Sequence, residues 1–233
     1  RPNHDEIDPL PAREGGERVG VGRGDRVAVL ITPGADLVAT VYACWRIGAV
    51  VVVVDAGLGV RGIRINVSPI HPKQEGLQAQ MLPRVLRWDA RCAELGWHLD
   101  FLLPGWLTDE MIPTFKKLKV DHSLAHMGMF LASQGPQQAG FQRLLDLLRF
   151  GDGKTWVKFT GTYRMATAPD FADARPMAQA LLATQADRVI WGSDYPHLSF
   201  ADKVGSVALF NLLKDWAPDA QTRQKIQIGR AHV

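Results

Sequence analysis

Residues 50–66, VVVVVDAGLGVRGIRIN, decide how this chain is to be read. A β-branched apolar run enters Gly57-Leu58-Gly59-Val60-Arg61-Gly62, a literal G-x-G-x-x-G. Such a pattern holds a dinucleotide only where a strand feeds the glycines and a helix opens at the third, so that helix N-terminal amides meet the pyrophosphate. After Gly62 comes IRINVSPIHP, whose alternating β-branched residues and prolines at 69 and 72 exclude a helix starting there. Glu75 is not at the end of a strand either, as the ribose-binding acid of that motif would be. GVGRGD, residues 20–25, precedes its strand rather than following it and fails in the same way. The stretch is therefore the end of one strand and the start of another.

Working outward, DRVAVLI (25–31) is a short strand-like run ended by Thr32-Pro33-Gly34, and ADLVATVYACWRIG (35–48) has helical spacing with Gly48 as a stop. With AVVVVVD (49–55) these predict a βαβ unit with a parallel strand pair. The alternation then repeats. Strands are expected in GIRINV (62–67), WHLDFLL (97–103), the front of HSLAHMGMF (122–130), TWVKFT (155–160) and DRVIWGSD (187–194). Helices are expected in residues 77–96, where Pro83 implies a kink or a late start, and in 108–118, 141–151, 175–185, 201–217 and 219–227. The fold class is α/β, built of parallel βα units with helices over the sheet.

The composition, 46% apolar and 22% charged over 233 residues, supports a globular core in one large domain or two small ones. A net charge of +3 comes from 27 basic and 24 acidic residues scattered in both signs, so no nucleic-acid partner is expected. The longest apolar run, residues 49–54, is too short to cross a bilayer, and no secretory leader opens the chain. A cytoplasmic protein with reduced Cys44 and Cys92 is expected, and residues 1–20 read as a loose tail.

Reactive groups in parallel α/β proteins gather at the C-terminal ends of strands. Asp194, ending RVIWG and three residues before His197, suits a general base or a metal ligand; an Asx-turn before Pro196 explains it equally well. His126 follows HSLA, where a lone histidine is ordinarily a satisfied core residue. His122 and His126 in one strand would face one side about 13 Å apart, too far to share a metal. Arg64 within its strand and Arg164 just past VKFTGTY could clamp carboxylates, against the alternative of plain ion pairs. His98 and Asp100 alternate on one strand in a supporting position, and the tryptophans read as packing. G-x-S-x-G, Walker, C-x-x-C and H-x-H patterns are absent from the sequence.

The stretches GVRGIRIN, LGWHLDF, LAHMG, WVKFTGTYR and DRVIWGSDYPH, in this order over residues 58–226, resemble the amidohydrolase-related TIM-barrel hydrolases, particularly their 2-pyrone-4,6-dicarboxylate lactonase branch. The resemblance implies a partial or distorted (β/α)₈-type barrel over residues 60–227 that hydrolyses a small carboxylated lactone or a related ester or amide. It implies Asp194 as the general base acting on water and His126 as polariser of the substrate carbonyl. Arg64, Tyr163, Arg164 and His197 would then bind substrate. The lactonase branch works without a metal, so no cofactor is expected; metal-dependent relatives would use zinc or manganese on His126 and Asp194, as would a decarboxylase of the same superfamily. An arginine that the pattern carries near Ile70 and a tyrosine near Leu102 are missing here. Residues 21–59 resemble instead the first βαβ unit of adenylate-forming (AMP-binding) acyl ligases, without the phosphate loop or catalytic lysine of that chemistry. Two such likenesses meeting at GLGVRGI imply a chimeric gene model with a foreign N-terminal unit, a truncated and catalytically impaired or inert barrel, and a non-native tail at residues 228–233.

Overall fold

Short β-branched runs pair as parallel strands throughout the computed structural model, which describes residues 26–29, 50–53, 62–195, 197, 200 and 202–227. The chain divides into two compact units, residues 1–60 and 61–233. In the first, β1 (Arg26–Val29) pairs in parallel with β2 (Val50–Val53), Arg26 opposite Val50, as the two valine-rich runs predict. The expected helix between them, both tails and the Gly57–Gly59 turn lie outside the described residues.

The second unit is a five-stranded parallel sheet in sequential order: β3 (Gly62–Asn66), β4 (His98–Leu102), β5 (His122–Leu124), β6 (Thr155–Phe159) and β7 (Val189–Trp191). Gly62, the third glycine of the opening motif, starts a strand. The helices are α1 (Leu77–Leu95), α2 (Gly105–Phe115), α3 (Ala139–Phe150), α4 (Arg175–Gln185), α5 (Ser206–Trp216) and α6 (Ala220–Gln227). Among the described residues no helix is long and apolar enough to cross a membrane.

Alternation along each strand sorts the side chains onto two faces. Ile65, Phe101, Leu124, Val157 and Val189 stand in register across all five strands and are buried. This face meets the helices: Phe101 packs edge-on against Phe115 of α2, and Phe159 against Trp216 of α5. The opposite face carries a polar cluster, with Arg64, Asp100 and Ser123 in register and Lys158 on the same side of β6, beside the apolar Trp156 and Ile190.

Several elements depart from their sequence reading. Helix α1 starts at Leu77, ahead of Pro83 rather than after it, and Pro83 sits on its exposed side where water can serve the carbonyl that loses its partner. Helix α2 starts at Gly105, ahead of the expected Thr108, and β7 yields its first two expected residues to a 3₁₀ turn at Ala186–Arg188. Strand β5 stops at Leu124, so His122 and His126 do not share a face. His122 is buried on the helix side, stacked on Phe115 with Nε2 2.9 Å from Thr155 Oγ1.

Candidate functional site at the carboxyl ends of the strands

The ends of β5, β6 and β7 deliver their following residues to one place. Past β5, His126 opens a 3₁₀ turn, and the chain past β6 passes through Thr160 and Gly161 to Tyr163 and Arg164. Past β7 comes Asp194. Asp194 Oδ2 accepts hydrogen bonds from Tyr163 OH at 2.6 Å and Arg164 Nε at 3.2 Å, and His126 Nε2 lies 3.9 Å away. His126 is turned that way from behind, with Nδ1 2.8 Å from Thr160 Oγ1.

Backbone strain marks the same groups. His126, Met127 and Met129 have φ of 52°, 52° and 59°, and Asp194 has 57°, a left-handed region that residues with side chains avoid. Such conformations cost on the order of 1–3 kcal/mol each and cluster where function demands them. Gly161 is needed for packing as well as for its φ of 54°, because a Cβ there would run into Nδ1 and Cε1 of the His126 ring.

The protonation states are set by burial. It pushes the His126 imidazole down to about 4; Asp194 opposes this and Arg164 reinforces it, so the ring is neutral near pH 7. Tyr163 is pushed up to about 12 by burial and by its bond to Asp194, and so remains a proton donor to that carboxylate.

A second cluster lies mid-sheet on the polar face. Asp100 Oδ2 meets Arg64 Nε at 2.6 Å, while Oδ1 meets Lys158 Nζ at 2.8 Å and Ser123 Oγ at 2.6 Å. Burial would raise the Asp100 pKa, but the Lys158 and Arg64 charges, with hydrogen bonds from Lys158 and Ser123, hold it down to about 2.

Asp194, His126, Tyr163 and Arg164 are thus brought together by the structure. Arg64 is paired with Asp100, its side chain half exposed, and its charge helps hold the His126 pKa down. His197 is buried with Nε2 3.1 Å from Ser193 O and 3.3 Å from Ser206 Oγ, its ring edge-on to Tyr163. Asp100, read from the sequence as a supporting residue, is the centre of a polar network. Thr160, Ser123 and Lys158 escaped the sequence reading, although Lys158 inside an apolar strand was a signal that one face of β6 is polar.

The fold and site together define a parallel α/β protein with acid–base groups at the carboxyl ends of its strands. The chain belongs to the amidohydrolase family, whose profile matches residues 33–229. It is 31% identical over 174 residues to a 4-sulfomuconolactone hydrolase of Hydrogenophaga intermedia, covering 73% of this chain and 55% of that protein. It is 26% identical over 184 residues to a 2-pyrone-4,6-dicarboxylate hydrolase of Comamonas testosteroni, covering 73% and 57%. The fold is similar to that of a Pseudomonas putida protein named as a candidate 2-pyrone-4,6-dicarboxylic acid hydrolase, with a TM-score of 0.60, 28% identity and coverage of 86% and 68%. The chain spans about half the length of the curated relatives it matches. None of these similarities supports the ligase-like reading of residues 21–59 or a chimeric join, and the family match begins inside that stretch.

A metal on His126 and Asp194 would need further donors. Among the described residues no group of three or more His, Cys, Asp and Glu could hold an ion, and Asp194 Oδ2 already receives Tyr163 and Arg164. These residues by themselves do not fit a metal.

Proposed function

We propose that this chain carries the catalytic face of a lactone hydrolase acting on a small carboxylated lactone. The observation that carries the reading is the convergence of Tyr163, Arg164 and His126 on Asp194 Oδ2. With both donors on Oδ2, Oδ1 is the oxygen assigned to the attacking water. That water's oxygen bonds to the lactone carbonyl carbon while its proton passes to Asp194; the ring C–O bond then breaks and the proton goes on to the departing ring oxygen. His126, neutral at working pH, is assigned Nε2–H as donor to the carbonyl oxygen. Thr160 supports this tautomer, because its Oγ1 accepts the His126 backbone N–H at 3.3 Å and can turn its own hydroxyl proton to Nδ1. Arg164 is assigned to the substrate carboxylate, with Tyr163 and His197 shaping the wall behind it.

Asp194→Asn keeps the shape and removes the base, so hydrolysis of an accepted carboxylated lactone falls by about 10²-fold or more. Unchanged turnover in that variant refutes the assignment.

A further inference from the structure

A cavity of about 860 Å³ opens beside Arg164, bordered by the segments that follow β3, β4 and β5 and reaching Phe200. This is the size of a small-molecule site. Its walls are chiefly apolar. Ile70 stands at its lip 91% exposed and Leu131 46% exposed, while Pro69, Trp106 and Phe130 form further wall. Trp106 is fixed there, because its Nε1 donates to His71 O at 3.0 Å and so sets the plane of the indole. The cavity's other arginine, Arg143, is matched by Asp109 through two bonds of 2.7 and 2.5 Å, so it presents no uncompensated charge. Arg164 joins cavity to site: its guanidinium lies 5.3 Å over the Phe200 ring while Nε reaches Asp194.

We infer that this cavity is a recognition pocket for an apolar, preferably flat, substituent on the lactone, an aryl group being the best fit. The inference rests on the lactone-hydrolase reading for what the substituent is attached to. A ring held with its carbonyl at Asp194 directs a substituent past Arg164 onto Trp106, Ile70 and Leu131. An apolar contact of this kind discriminates by roughly 10–200-fold.

The test uses two monocarboxylated γ-lactones, one bearing a ring methyl and one a ring phenyl, and the two matching cyclic ketone acids, which cannot be hydrolysed. The lactones are read by kcat/KM and the ketones by calorimetric Kd. The phenyl member is expected to be favoured about tenfold or more in both, and Ile70→Ser, a surface change that leaves folding intact, is expected to bring the ratio near one. A phenyl preference in Kd that Ile70→Ser abolishes, without hydrolysis of either lactone, upholds the pocket and overturns the hydrolase reading. Hydrolysis that depends on Asp194 but shows no phenyl preference overturns the pocket alone. Failure of both ketones to bind, or a preference that Ile70→Ser leaves intact, also overturns the pocket.

Discussion

Thr160 lies one residue beyond β6 and does two things at once: it meets the His126 ring nitrogen, and it places Gly161 beneath that ring. Its Oγ1 also takes the His126 backbone N–H, so one hydroxyl ties down both the strained main chain and the imidazole. Thr160→Val keeps the volume and removes the hydroxyl. If His126 acts as proposed, the variant loses about fivefold to tenfold in kcat/KM, the worth of an ordinary hydrogen bond. Thr160→Ser restores most of it. The check is kinetic together with the imidazole nitrogen shifts of His126 by NMR, which a purely structural role would leave in place. Equal activity in the valine and serine variants would detach Thr160 from the site.

Helix α1 is held to the sheet by a bond that its amphipathic pattern does not reveal. Asp89 is buried and accepts the backbone N–H groups of Lys119 at 2.8 Å and Val120 at 3.1 Å, pinning the turn that enters β5. Asp89→Ala leaves two amide groups without their acceptor, and a loss of about 2–4 kcal/mol is expected in urea unfolding, with Asp89→Asn less harmful. A loss below about 0.5 kcal/mol would show that water serves those amides as well. At this scale the sequence was a good guide to strands and helices, because β-branched runs and helical spacing are local properties. It was a poorer guide where a boundary depends on neighbours. Where β5 ends is one such boundary: Ala125 N–H still bonds to Phe101 O of β4, but His126 takes a φ of 52° and turns its N–H to Thr160 Oγ1 beyond β6. Asp194 and His126 could be picked out because strand ends are legible. The Asp100 cluster could not, because it exists only once β3 to β6 are set side by side.

The molecule as a whole should be sensitive to mild acid. His122 is held down to about 4, chiefly by burial, and is neutral in the native state. In the unfolded chain a histidine takes a proton below about pH 6.5. Between about pH 6.5 and 4 the unfolded state therefore binds the extra proton, and native stability falls with pH by up to about 3 kcal/mol. Urea midpoints between pH 7 and 4.5 measure this; His122→Gln is expected to make the profile shallower while leaving the share of His126, which burial also holds down to about 4, and an equally steep profile in the variant would place the acid sensitivity elsewhere. Asp100, held down to about 2, gives up its contribution only in stronger acid. Its cluster also bears on how the sheet is assembled. Slide β4 by one residue and the Asp100 carboxylate turns among the aromatic side chains under α2; slide it by two and Arg64 and Ser123 lose it together. A sheet paired in either shifted register would hold a stranded buried charge, which costs several kcal/mol. The four polar groups thus act as a register key, answering one another's charge in one alignment of the strands.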